Sequence, residues 1–490
     1  MANIRTRIAP SPTGDPHIGT AYIGLFNKVF AHKNSGQFLL RIEDTDRSRY
    51  SETSEKAIFA AMDWLSLTPD EGPHVGGEFG PYVQSQRLDI YKKYAKELIE
   101  GGHAYYCFCD KDRLQDMRKK QEKDGSDYKY DRCCLKLSQE EIEEKLANNI
   151  PYVIRMLVPS EGETVFTDLV RTDVKFENNL IDDQVLLKAD GYPTYHLASV
   201  VDDHLMGITH VIRAEEWISS TPKHIMLYNM FGWSAPIFAH LPLLRNTDKS
   251  KISKRFNHTS LDWYKQEGFL PEALLNFLAL LGWSHPEGKE IFSFDELKEQ
   301  FSFSRFNTNA PVFDIEKLRW MNGTYIRNLS IDELFPKVEP FLIEAGFINA
   351  NSSKEDIAFA KSAVLLEQEK VATLKEFIDR LVFMFEDEFA FSEEAETKWL
   401  HSGNPVVKES LLKLKEKIIE FDGEPVSEKY EEMIRAVAEE LEIGAGKVIH
   451  PTRAAISGAT KGPSLFHMME LFGKERLLKR LERGISHITE

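Results

Sequence analysis

The chain predicts a multidomain fold, α/β in its first half and all-α in its second, on three observations. Strand-like and helix-like stretches alternate over residues 1–88, the order of a parallel sheet with helical crossovers. A charge-rich block at 89–193, holding all four cysteines, interrupts that order before strand signals return. Beyond Ser330 strand signals nearly vanish and helical stripes replace them. At 490 residues the chain is too long for one ordinary core, so about two to four domains are expected.

In chain order, residues 4–9 are an apolar strand-like start around Ile4 and Ile8. Pro10, Pro12 and Pro16, with Gly14, stiffen the turn that follows. A helix is expected over 17–33, with Ile18, Tyr22, Leu25, Phe26 and Val29 on one stripe. Residues 38–42 are a second strand and 54–65 a second helix. Residues 208–213 and 237–244 look like later strands of the same sheet, which makes 89–193 an insertion between 1–88 and 194–247. From 248 to 330 a loop gives way to helices at 271–281 and 315–322. The stretches 357–366, 374–384, 406–420, 428–441 and 474–483 are amphipathic, in two helical units, 331–390 and 391–490.

With 42% hydrophobic and 28% charged residues the chain belongs to the soluble globular class. Its start has no apolar signal core and no apolar run is long enough for a bilayer, so a cytoplasmic protein without a membrane partner is expected. A net charge of −17 excludes a generally basic coat but not an RNA ligand, whose phosphates need only local patches. Such patches are 113–123, 249–255 and 474–483, each equally well explained as a solvated face. No extended apolar interface stripe is visible, and a monomer is expected.

Two motifs carry chemistry. The strand, the turn Pro10-Ser11-Pro12-Thr13-Gly14-Asp15-Pro16 and the helix opening at His17 present backbone N–H groups and a positive helix end to an anion. Far downstream, Lys251-Ile252-Ser253-Lys254-Arg255 sets three cations on a short loop, suited to a polyphosphate. Together they resemble the HIGH and KMSKS signatures of class I aminoacyl-tRNA synthetases. The run from Arg7 to Thr20, with Arg41-Ile42-Glu43-Asp44-Thr45-Asp46, narrows the resemblance to the glutamyl-tRNA synthetases. It continues through Asp190 to Leu197, Val211 to Trp217 and Phe269 to Asn276, and more thinly to the C-terminus.

The resemblance implies a Rossmann-like catalytic domain in 1–88 and 194–247, and an inserted acceptor-end-binding domain in 89–193. It further implies a KMSKS loop and stem-contact region in 248–330 and anticodon binding by the helices of 331–390 and 391–490. The implied reaction joins L-glutamate to tRNA(Glu) through an adenylate, with ATP and Mg2+, and needs bound tRNA to align ATP. Pro10, Thr13, Gly14, His17, Gly19, Thr20, Glu216, Leu244, Lys251, Ser253, Lys254 and Arg255 are the implied ATP contacts. His17, Lys251 and Lys254 are the catalytic ones, Lys254 foremost. Thr20 and Arg255 depart from the generic signatures in ways usual for this family.

For glutamate, Arg7 and Arg213 are the matching cations, because a guanidinium fork suits a carboxylate. Glu43, with Ala9 and Ser11, matches the ammonium, and Tyr195 supplies a hydroxyl. Which arginine takes which carboxylate stays open, as does the plainer arrangement in which Arg7 and Glu43 pair with each other. Ser199 stands where relatives often carry Asn, and a water in place of one hydrogen bond is expected there.

In a cytosolic protein the clustering of Cys107, Cys109, Cys133 and Cys134 points to a metal rather than disulfides, with plain reduced thiols as the alternative. Cys107, Cys109, Tyr130 and Cys134 are similar to the structural zinc site of some bacterial members, with Cys133 left over or exchanged with Cys134. Lys370 lies where some relatives use an arginine to contact the anticodon, and is equally explained as a surface lysine. The sister glutaminyl enzyme is disfavoured by Arg213 and by the helical second half. A truncated tRNA-modifying paralogue is disfavoured by the roughly 160 residues after Ser330. A catalytically silent tRNA-binding or regulatory paralogue is the remaining alternative, against which His17, Glu43, Arg213 and Lys254 all count.

Overall fold

A computed structural model describes residues 3–125, 129–250, 252 and 259–488. They form two compact units, Met1–Tyr264 with Leu274–Ile315, and Lys265–Ala273 with Glu316–Glu490.

In the first unit β1 (Arg5–Ile8) is buried throughout and leads through the proline-stiffened turn into α1 (Ile18–Lys33). That helix buries Ile18, Tyr22, Leu25, Phe26 and Val29, the stripe expected from spacing, and returns the chain to β2 (Gln37–Leu40). β2 pairs in parallel with β1, Arg7 opposite Leu39. α2 (Glu52–Trp64) starts at Ser51, whose hydroxyl accepts from the Ser54 N–H.

The insertion has more strand than its charge suggests. After α3 (Leu88–Glu100) come β3 (Ala104–Cys107), α4 (Lys111–Asp124), α5 (Gln139–Ala147) and β4 (Val153–Met156). β5 (Glu163–Asp168) and β6 (Thr172–Glu177) make a hairpin, and β7 (Val185–Leu187) completes the antiparallel sheet β3-β4-β7. These strands are short, and half of β5 and most of β6 face water, so their apolar signal is diluted.

The parallel sheet resumes after α6 (Tyr195–Leu205) with β8 (His210–Ala214), α7 (Thr221–Met230) and β9 (Ile237–Leu241), one βαβ unit. The expected single sheet is divided in its ladders: β1-β2 form one, and β6-β5-β9-β8 the other. The halves still join where the Thr209 N–H donates to the Arg5 carbonyl at 3.0 Å and Asn27 Nδ2 to the Ile212 carbonyl at 3.0 Å. The β5–β6 hairpin lies parallel to β9 where Asp168 meets Phe238, which brings an insertion residue under the later strands.

The second unit is helical. Ile331–Glu344, Lys354–Glu367, Glu376–Phe385, Pro405–Glu420, Ser427–Glu440, Gly446–Ser457 and Leu465–Ser486 share a core that includes Leu334, Val338, Phe377, Leu381, Tyr430, Ile434, Leu477 and Leu481. The last helix is longer than the expected 474–483 because two helices abut at Gly473, whose φ of 68° only glycine adopts without strain. Among the described residues no helix is long and apolar enough to cross a membrane.

Candidate active site

Residues at the carboxyl ends of β1, β2 and β8, with the turn before α1, line one cavity of about 840 Å³. Carboxyl ends of parallel strands are where open α/β sheets hold ligands, because helix N-termini and connecting loops converge there.

On the α1 side the wall includes Pro10, Thr13, His17, Gly19 and Thr20, with Glu216 and Leu244 opposite. His17 caps the helix, its Nδ1 accepting the Gly19 N–H at 2.9 Å. In the neutral ring that contact leaves the proton on Nε2, a donor at the positive end of a helix. Ile252, within the downstream basic loop, also lines the cavity. Lys251, Ser253, Lys254 and Arg255 lie outside the described residues, and Gly14 is not part of the wall.

Arg7, Ala9, Ser11, Glu43, Tyr195 and Arg213 line the same cavity. Arg7 and Glu43 do not pair with each other. Arg7 donates to Asp203 at 3.1 Å, and the fully buried Arg41 donates to Asp203 at 2.7 Å and to Glu43 at 3.1 Å. Burial pushes the Asp203 carboxyl up, but Arg7 and Arg41 outweigh it and hold it below the usual carboxylate range. For Glu43 burial wins, and its pKa is raised despite Arg41 and Arg7. Arg7, Arg41, Asp203 and Glu43 thus form one buried network, which Asp202 joins at 3.6 Å from Arg41 Nε.

No motif in the sequence marks Asp203 or its neighbour Asp202, which takes Arg87 at 2.7 Å and Tyr91 at 2.8 Å. The available signal was two successive aspartates on a helix that also buries Leu197, Val200 and Val201. Acids on a buried face require cations, which here come from elements about 115 to 196 residues away in sequence. Ser199, on the same helix, is buried at 1% exposure. Its hydroxyl has no hydrogen-bond partner among the described residues, and it is not in the cavity wall.

Arg213 differs from Arg7 in kind. Its Nε donates to His240 Nε2 at 3.1 Å, Nη1 to the Tyr195 hydroxyl at 2.8 Å and His224 Nδ1 at 3.3 Å, and Nη2 to Thr221 Oγ1 at 2.9 Å. All these acceptors are neutral, and among the described residues no carboxylate pairs with it, although it is 5% exposed. The His224 imidazole is held well below its ordinary range, by burial first and by Arg213 next. His196, 3.2 Å from His224, is pushed down to about 3 by burial and then by Lys223 and Arg213. Arg213 is therefore a buried cation in a cage of uncharged acceptors, open to a ligand's negative charge.

Cys107, Cys109 and Cys134 bring their sulfurs within 4.8 Å of one another. The Tyr130 hydroxyl is 3.3 Å from Cys107 Sγ and 3.2 Å from Cys109 Sγ, and Cys109 Sγ is 3.5 Å from Cys134 Sγ. Tetrahedral zinc at about 2.3 Å from each sulfur would separate them by about 3.8 Å, so a small expansion admits a metal. Cys133 is not remote, its Sγ lying 3.4 Å from both Cys109 Sγ and the Tyr130 hydroxyl. The Cys107 thiol is pushed up to about 12, first by its hydrogen bond to Cys134 and then by burial, while that bond draws Cys134 down. In the helical unit Lys370 is 3.8 Å from Glu367, which also takes Arg380 at 3.2 Å.

A family profile described as class I tRNA synthetases (E and Q), catalytic domain, matches residues 3–320, and one described as anticodon binding domain matches 333–485. Glutamate–tRNA ligases of Fusobacterium nucleatum and Thermus thermophilus are each 51% identical to 98% of this chain, over 96% and 99% of their own lengths. A crystal structure of a glutamate tRNA ligase from Elizabethkingia meningosepticum, in complex with its amino acid, superposes with a TM-score of 0.90. That match has 35% identity and covers 99% of this chain and 100% of the other. With both halves matched, and half the residues shared over nearly full length, the chain belongs to the bacterial glutamate–tRNA ligase family of class I aminoacyl-tRNA synthetases.

Proposed function

We propose that this chain attaches L-glutamate to the 3′ end of tRNA(Glu), and that Arg213 carries the choice of amino acid. ATP enters as its magnesium complex. An oxygen of the substrate α-carboxylate attacks the α-phosphorus, the bond to the diphosphate breaks, and glutamyl-adenylate forms. A ribose hydroxyl of the terminal adenosine then attacks the acyl carbon, its proton is released, and AMP leaves. The protein has little covalent work to do, so positioning and charge stabilisation supply most of the acceleration.

The observation that carries this reading is the contrast between the two arginines. Arg7 is already neutralised by Asp203, whereas among the described residues Arg213 meets only neutral groups. The reacting α-carboxylate must stay nucleophilic, and an unscreened guanidinium clamped on it would withdraw electron density. Arg213 is better used on the non-reacting side-chain carboxylate, with the Tyr195 hydroxyl, an acceptor from Arg213, turning its own proton to the substrate. Glutamine has nearly the same shape but brings one acceptor and no charge, so discrimination of about 10³-fold or more follows without editing. Glu43 takes the ammonium with Ala9 and Ser11. His17, the backbone around Gly19 and the loop cations Lys251 and Lys254 hold the phosphates.

In the insertion, Cys107, Cys109 and Cys134 with Tyr130 hold a structural zinc that cross-links the β3 end to the segment before α5, away from the reacting atoms. Residues 89–193 meet the tRNA acceptor end, 248–330 its stem, and 331–390 with 391–490 the anticodon, Lys370 among the contacts. The cytoplasm, where ATP and tRNA meet, is the proposed compartment. ATP–pyrophosphate exchange tests the reading. Exchange driven by glutamate, rejecting glutamine and rising when tRNA(Glu) is added, is expected; efficient glutamine activation under matched conditions overturns it.

A further inference from the structure

Beneath Arg213 lies a buried pair that the reaction above leaves without a task. His240 stands directly across the β8–β9 ladder from Arg213 and is fully buried. Its Nδ1 is 2.6 Å from a carboxylate oxygen of Asp168, the last residue of β5, itself 2% exposed. Asp168 also accepts the backbone N–H groups of Val170 and Arg171, each at 2.9 Å, and of His240 at 3.1 Å. Burial pushes the Asp168 carboxyl up, but His240 and those N–H groups outweigh it and hold it below the usual carboxylate range. His240 is held below its own ordinary range, chiefly by burial.

Two demands therefore meet on one neutral ring. The Asp168 carboxylate can only accept, so Nδ1 carries the proton; Arg213 can only donate, so Nε2 must offer its lone pair, and the Thr221 hydroxyl, also 3.1 Å from Nε2, can donate or accept and so fits that tautomer. The other tautomer would set an Nε2–H against the arginine Nε–H and turn the guanidinium away. With Nε–H taken up by His240, the Nη edge is left facing Tyr195 and the cavity. We infer that Asp168 and His240 are positioning residues for amino-acid selection: Asp168 holds His240 in the tautomer that accepts from Arg213, which aims the guanidinium at the substrate side-chain carboxylate. The inference rests on Arg213 taking that carboxylate.

Asp168→Asn keeps the shape and an oxygen for the backbone donors but presents an amide N–H to Nδ1, which favours the wrong tautomer. The KM for glutamate should rise on the order of 10- to 100-fold and the preference over glutamine fall by a similar factor, with the KM for ATP little changed. Adding His240→Gln supplies an amide oxygen near the Nε2 position that needs no tautomer, and should recover most of the loss. An unchanged glutamate KM and preference in Asp168→Asn, or no recovery in the double variant, overturns the inference.

Should Asp168→Asn not fold, His240→Gln and His240→Leu in the otherwise unaltered protein decide the matter. The Gln variant should show a glutamate KM lower by about tenfold or more than the Leu variant, because only it retains an acceptor. Equal values overturn the inference. Failure of the unaltered protein to prefer glutamate removes the Arg213 assignment and this inference with it, whereas intact preference with unaffected variants overturns this inference alone.

Discussion

Glu43 and Arg213 face the same cavity with opposite needs: burial disfavours the charge of Glu43, and among the described residues no carboxylate answers that of Arg213. An amino acid with an ammonium and a second carboxylate answers both. The ammonium stabilises ionised Glu43, so below the raised pKa of free Glu43 binding must release a proton. The KM for glutamate should therefore rise as pH falls through that value, which lies above the ordinary range near about 4.3, and Glu43→Gln should flatten the dependence. A glutamate KM versus pH series checks it, and a KM that climbs identically in both proteins counts against the assignment. Lys254→Ala should lower turnover on the order of 10²–10³ with much smaller changes in glutamate or tRNA affinity, as for loss of one donor to developing charge. Steady-state kinetics with each substrate varied separates the two effects, and near-normal turnover refutes the role.

At the scale of elements, the β3 end and the 3-10 turn Cys133–Lys136 meet at the sulfur cluster between them. Elemental analysis of protein prepared without chelators should find about one zinc per chain, lost in Cys107→Ser or Cys109→Ser. Metal-free protein from such a preparation would refute zinc and leave the reaction intact. The turn before α1 works differently: its shape comes from prolines and the His17 cap, so its backbone N–H groups are presented without any cross-link.

For the whole molecule, a formal charge of −17 restricts RNA contact to local basic patches. About four phosphate contacts would weaken tRNA(Glu) binding on the order of 10²-fold between 50 and 200 mM salt. Filter-binding or fluorescence titration over that range checks the prediction, and salt-independent affinity would contradict a phosphate-based footprint.

Sequence alone determined what depends on local spacing and local motifs. The buried stripe of α1, the turn before it, the two later parallel strands and five amphipathic helices follow from periodicities of 2 and 3.6 residues. Arg7, Ala9, Ser11, Glu43, Tyr195 and Arg213, which share one cavity wall, were legible because they sit in short motifs, whereas Gly14 and Ser199, expected beside them, are not in that wall. Helix Gly446–Ser457 was not, since Gly446, His450, Pro451 and Thr452 dilute its stripe. Only the tertiary structure decided the electrostatic partners. Asp203 neutralises Arg7 across 196 residues, and Asp168 reaches His240 across 72, so no window of sequence contains either pair. The physical reason is that burial, not adjacency, compels charges to pair, and burial exists only once β1, β5, β8, β9 and α6 have assembled.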